Sequence, residues 1–199
     1  MGKIIFGPGR LSFPQLFERG SEEYGAKYGT TILLPPELDL TPIKHALLEV
    51  AIEKWGTDKK KWPKMRTTPA TVIKRCEDKD LFSGAFPDWH FINLSSKDQP
   101  GVIDANLRDV TDPREAYPGR WAMISANAYV WDNSFGKGVS LGLNNVQLRK
   151  HDDPLGGRAR PQDEFDDYSE AMDDDDEEDE DNKKKSSKAD TSSSDDWGD

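Results

Sequence analysis

"WAMISANAYVW", residues 121–131, is the stretch whose reading decides the fold. Side chains alternate across a strand, so Ala122, Ile124, Ala126, Ala128 and Val130 share one face. Trp121, Met123, Ser125, Asn127, Tyr129 and Trp131 share the other. The first set is small and apolar, as the tight interior of a small barrel requires. The second mixes large flat rings with hydrogen-bonding groups, which is the make-up of an aromatic stacking platform. The opposite assignment makes the aromatic face the core, packed under a helix, and then Ser125 and Asn127 need buried partners.

Working outward, "GRWAMISANAYVWDNSFGKGVSLGLNNVQLRK" reads as two strands joined around "NSFGKG". Upstream, "HFINLSSK" divides in the same way, with His90, Ile92 and Leu94 on one side and Trp89, Phe91, Asn93 and Ser95 on the other. "PGVID" is a short extended piece after a turn. "KIIFGPGRLSFPQLFERG" and "KYGTTILLPPE" read as two more strands punctuated by Gly and Pro. One helix is predicted, in "TPIKHALLEVAIEKWG": Thr41 as N-cap, Pro42 at the first helical position, Ile43, Ala46, Leu47, Val50 and Ala51 on one face, and Gly56 as the stop. No segment repeats at a fixed period.

The net charge of −11 joins two unlike parts. Pro161 to Asp199 holds 18 Asp/Glu and four Lys, net −14, whereas Met1 to Arg160 holds 20 acids and 23 bases, net +3. A block of like charge with no apolar residues to bury cannot offset its conformational entropy, so the end of the chain is expected to be a disordered tail. The tail finishes "SSSDDWGD", setting Trp197 among Asp195, Asp196 and Asp199. A tryptophan in a solvated tail has no core to serve, so it reads either as an apolar anchor for a partner or as an incidental end.

The body's positive charge concentrates in "KWGTDKKKWPKMRTTPATVIKR", where Trp55 and Trp62 lie among Lys54, Lys59, Lys60, Lys61, Lys64, Arg66, Lys74 and Arg75, against the single acid Asp58. Cations hold a phosphate backbone while indoles stack on bases, so this run reads as a basic-aromatic arm, or as a solvated loop. Phosphate-loop, nucleophile-elbow and zinc-protease motifs are missing, and Cys76 with His45, His90 and His151 forms no spaced metal set. The expectation is a non-enzymatic protein without cofactor or metal. A single cysteine points to a reducing, cytoplasmic setting, no apolar run reaches the roughly 18 residues of a membrane span, and monomer and dimer stand equal.

The segments "FPQLFE", "KYGTTILLPPE" and "GVIDANLRDVTDPREAYPGRWAMISANAYVWDN", with "GKGVSLGLNNVQLRKHDDPLGGRARPQDEF" and the acidic end, resemble the phage single-stranded DNA-binding proteins. The most specific part is "YPGRWAMISANAYVWD" followed closely by "KGVSLGLNNVQLRK"; the "LGGR…F" exit is a second mark. The resemblance implies a mainly β fold: an OB-type five-stranded barrel with one inserted helix, residues 1–165, and a disordered acidic interaction tail, residues 166–199. It implies sequence-independent binding of single-stranded DNA in phage replication, recombination and repair. It also implies a tail that competes for the groove and docks on phage or host replication and recombination proteins. Related tails often finish on an aromatic residue, whereas here Gly198 and Asp199 follow Trp197.

On this reading the DNA-contacting residues are Arg120, Trp121, Met123, Tyr129 and Trp131 on the platform. Trp55, Lys59, Lys60, Lys61, Trp62, Lys64 and Arg66 form the arm, and Asp195, Asp196, Trp197 and Asp199 are the partner-binding tip. The competing class is an acidic-tailed histone-like chaperone or DNA mimic, in which the tail itself is the active part. A nuclease would need a convergent acid or His cluster in the body.

Overall fold

Among the described residues, seven strands and one α-helix follow in chain order: β1 (Lys3–Gln15), β2 (Tyr28–Leu34), α1 (Thr41–Trp55), β3 (Lys74–Arg75), β4 (His90–Ser96), β5 (Gly101–Ile103), β6 (Trp121–Asn133) and β7 (Gly136–Leu148). The computed structural model describes residues 2–22, 25–63, 66–79, 85–134 and 136–156. They belong to one compact unit, Met1–Arg158. The tail expected over 166–199, with Asp195, Asp196, Trp197 and Asp199, lies outside the described residues, as does Lys64.

The strands pair in the order β3-β4-β2-β1-β6-β7-β5, and a further parallel pairing of Ser95 with Gly142 joins β4 to β7. That pairing closes β4, β2, β1, β6 and β7 into a five-stranded barrel, the OB-type architecture, leaving β3 and β5 as short appendages. Closure removes the exposed edges that a five-stranded open sheet would present. α1 enters between the second and third barrel strands.

The alternation read in residues 121–131 is the alternation observed. Ala122, Ile124, Ala126 and Ala128 are completely buried in the barrel interior, and Trp121, Met123, Ser125, Asn127 and Trp131 are only partly buried, with Tyr129 exposed. The aromatic face therefore points out of the barrel, and the reading that packs it under the helix is excluded. Small residues on β6 let the opposite walls approach across the narrow interior, where Leu11, Ile32, Ile92 and Leu141 fill the space.

Ile43, Ala46, Leu47, Val50 and Ala51 are the buried residues of α1, the five picked out by their spacing, and they lie against β6, β7 and β1. The helix start differs from expectation by one residue. Thr41 is the first helical residue, and its backbone N–H donates to Asp39 Oδ1 at 2.9 Å, so the aspartate two residues upstream supplies the acceptor. Gly56 ends the helix with φ of 78°, where a side chain would be strained.

Gly-Pro-Gly at residues 7–9 does not break the first strand. β1 runs through it with a shift of register against β6 between Phe6 and Gly9, the signature of a bulge that bends the strand around the barrel. A smaller apolar cluster sits on the outside of the β2–β4 pair: Leu33 and Phe91, which are register partners, are covered by Cys76 and Phe86, with Trp89 and Leu155 alongside. Burial pushes the Cys76 thiol up to about 11, so at neutral pH it is a protonated packing residue and not a nucleophile. Among the described residues no group of His, Cys, Asp or Glu could hold a metal ion, and no helix is long and apolar enough to cross a membrane.

Candidate nucleic-acid interface

β7 is the strand at which the barrel closes, and its register against β6 sets Gly138 opposite Trp131 and Ser140 opposite Tyr129. A Cβ on Gly138 would stand 2.6 Å from Trp131 Cζ2, which means that the indole lies directly on the bare backbone of β7. Tyr129 leans over Gly142 more loosely, since a Cβ there would sit 3.6 Å from its ring. The two rings thus lie across a strand whose outward positions are Gly138, Ser140 and Gly142.

Two hollows flank these rings and adjoin along β4 and β7. One, about 210 Å³, is lined by Arg66, Thr71, Val72, Lys74, Asn93, Trp131, Val139 and Ser140. The other, about 370 Å³, is lined by Lys27, Ser95, Lys97, Asn127, Tyr129, Gly142 and Asn144 among others. Together they form a shallow groove over β4, β7 and β6, with two aromatic rings, a floor of hydroxyls and carboxamides, and a pair of cations at each end. Among the described residues lining it there is no carboxylate. Asn127 Nδ2 donates to Asn144 Oδ1 at 3.1 Å and fixes the floor between the two strands.

The residues predicted as one interface separate into three places. Tyr129 and Trp131 are in the groove, and Arg66 reaches it from the arm. Trp121 lies at the far end of β6, roughly 26 Å from Tyr129 at the usual rise per strand residue. Its indole Nε1 donates to Asp152 Oδ2 at 2.6 Å, Lys150 Nζ stands 4.7 Å from its ring centroid, and Trp89 packs 6.0 Å away. Trp121 is part of a local cluster and not of the groove. Met123, between these ends, packs over the β1 bulge, its sulfur 3.3 Å from where a Cβ on Gly7 would be.

Arg120 is only 6% exposed. Its guanidinium donates to the Arg149 carbonyl at 3.1 Å and to Glu115 Oε2 at 3.2 Å, and it meets the His151 ring at 2.7 Å. A buried charge must be paired, and this one is committed to holding the chain after β7 against the turn before β6. Trp62 is likewise withdrawn from solvent. It is 8% exposed and donates Nε1–H to the Gly56 carbonyl at 2.9 Å, with the half-buried Trp55 ring 6.0 Å away. Both indoles of the arm pack together at the end of α1. Lys59, Lys60 and Lys61 are exposed, and Lys61 leans towards Asp58 at 3.8 Å.

Lys27 and Lys97 escaped the sequence reading. They stand just before β2 and just after β4, and the register that pairs Tyr28 with Ser96 brings them together at one end of the groove. The signal was present only to a reader who already knew that these two strands pair.

The family model described as Enterobacter phage Enc34, ssDNA-binding protein, matches residues 2–180 of the chain. Among solved structures, the single-stranded DNA-binding protein from bacteriophage Enc34 in complex with ssDNA is similar with a TM-score of 0.63 and 23% identity, over 78% of this chain and 90% of that one. A second structure of the single-stranded DNA-binding protein from bacteriophage Enc34 gives 0.59 and 25%, over 83% and 90%. Its C-terminal truncation gives 0.60 and 23%, over 77% and 88%. No curated protein matches the sequence. The barrel, its outward groove and this match to most of its length agree: the chain belongs to the family of the Enterobacter phage Enc34 single-stranded DNA-binding protein.

Proposed function

We propose that the chain binds single-stranded DNA without reading its sequence, along the groove over β4, β7 and β6. The observation that carries this reading is a groove with Tyr129 and Trp131 on its floor, Lys27, Lys97, Lys74 and Arg66 at its ends, and no carboxylate among its described lining. Each part has a physical task. Every base has a π-face, so rings stack on any sequence, each stack being worth about 1–3 kcal/mol; the cations neutralise phosphates irrespective of the base attached. A duplex keeps its π-faces inside its own stack, so the rings add affinity only for unpaired strands.

Family membership and the acidic end extend this to a role in phage DNA replication, recombination and repair. The tail, net −14 from Pro161 to Asp199, is a tethered polyanion that competes for the basic groove and is released to protein partners when DNA takes its place. The test is an anisotropy titration of labelled oligothymidine and duplex with the intact chain and with a chain ending at Phe165. The shortened chain binds single strands at least as tightly as the intact one. Loss of binding on shortening assigns the activity to the tail and makes the acidic chaperone the better account.

A further inference from the structure

The groove does not end at Trp131. Arg66 and Thr71, which line it, also line a third and larger hollow of about 960 Å³ between the end of α1 and the turn at residues 67–71. We infer that a single strand leaving the barrel face turns past Arg66 into this cleft, where Lys59 and Lys60 hold its phosphates as a second segment of the site. The inference rests on the groove being the strand's path.

The chemistry of the cleft differs from that of the groove. Among its described lining residues the cations are Lys59, Lys60 and Arg66, and there is no carboxylate. Trp62 forms part of the wall, but it is 8% exposed and its N–H is already bonded, so among the described lining residues no ring stands free for stacking. The hydroxyls of Thr67 and Thr71 donate to backbone carbonyls, at 3.2 and 2.7 Å. What remains for a ligand is positive charge, which suits a phosphodiester chain whose bases point away.

The cleft is also held in place relative to the rings. The backbone N–H of Val139, next to Gly138, donates to the Arg66 carbonyl at 2.9 Å, so the arm is hydrogen-bonded to β7 beside the seat of Trp131. Asp58 accepts from the backbone N–H of Lys60 at 3.1 Å and fixes the turn that carries the lysines. Lys61, drawn towards Asp58, does not line the cleft. A site divided in this way has a stacking part and a charge part that a strand occupies in succession.

The experiment compares the intact chain with K59A/K60A, K44A and W131A, using labelled oligothymidines of about 5 and about 20 nucleotides, chosen around the range of site sizes for this fold, at several salt concentrations. K59A/K60A binds the short oligonucleotide as the parent does. On the long one it loses affinity, and its salt slope falls by about 1.4, roughly 0.7 for each phosphate that the two lysines neutralise in the parent. K44A, at an exposed lysine of α1 that lines none of the three hollows, resembles the parent at both lengths. Equal loss on both lengths, or no change in the slope on the long one, overturns the inference while leaving the groove reading intact. A gain in affinity for both lengths also overturns it, because an acidic segment would then occupy the cleft. W131A, in contrast, loses affinity at both lengths; normal binding by W131A removes the groove reading itself, and the inference with it.

Discussion

Gly138 offers the sharpest test of how the groove is built, because the structure sets it against Gly142 on the same strand. A Cβ on Gly138 would lie 2.6 Å from both the Arg66 carbonyl oxygen and Trp131 Cζ2, and 2.8 Å from Trp131 Cε2. Ordinary carbon contacts begin near 3.5 Å, so in Gly138→Ala the indole must rise by about 1 Å and the arm must withdraw as well. Withdrawal breaks the Val139 to Arg66 hydrogen bond of 2.9 Å, a net cost of about 1 kcal/mol. Displacing the ring removes much of one base stack, about 1–3 kcal/mol, so affinity for oligothymidine falls by about 5- to 160-fold. Gly142→Ala is the control: its Cβ meets Tyr129 at 3.6 Å and the Asn127 carbonyl at 3.8 Å, which is normal packing, and binding stays within about twofold. Anisotropy titration reads both variants, near-ultraviolet circular dichroism reports the Trp131 environment, and thermal melting checks that each folds. Equal behaviour of the two variants, or a Gly138→Ala protein that binds as tightly as the parent, refutes the claim that bare backbone on β7 seats the ring.

Other consequences follow from the same geometry. Replacing Lys27 and Lys97 by alanine lowers the salt slope of single-strand binding by roughly 0.7 for each phosphate no longer neutralised, leaving fluorescence quenching at saturation unchanged; an unaltered slope removes them from the site. Ile124→Ala leaves a hole in a completely buried position and lowers unfolding free energy by about 2–5 kcal/mol in denaturant titration, with the remaining folded protein still binding DNA. The Asp152 carboxyl is held below the usual range, chiefly by the Trp121 indole N–H, then by the Asp153 backbone N–H and the nearby charges of Arg10 and Lys150. A carboxyl depressed by folding stabilises the protein above its unfolded value, near pH 4, and that stabilisation is lost as pH falls through the folded value. Asp152→Asn therefore lowers the melting temperature at pH 7 and converges on the parent in acid; an offset independent of pH contradicts this.

The parts of the fold visible in the sequence are those written in local periodicity. Residues 121–131 alternate without interruption, and the buried face of α1 is spaced for a helix, so neither needs knowledge of a partner. What local sequence does not show is a side-chain environment assembled from distant segments. Arg120 follows a turn and precedes an aromatic strand, which makes it look available. Its charge is instead absorbed by Glu115 and by a histidine and a carbonyl beyond β7. Trp62 sits in a run of lysines, and local composition gives no hint that its ring turns back to the end of α1. The groove depends on closure between β4 and β7 at Ser95 and Gly142, a pairing no local pattern encodes.

The most direct test of the central claim is a titration of labelled oligothymidine and of duplex DNA against the intact chain and the Tyr129→Ala/Trp131→Ala variant, at one fixed salt concentration. The groove account predicts that the parent prefers the single strand, with quenching of its tryptophan fluorescence, and that the variant loses most of this preference while keeping the weaker, salt-sensitive binding supplied by the lysines and arginine. A variant that still favours single strands as strongly as the parent would show that the DNA lies elsewhere on the molecule.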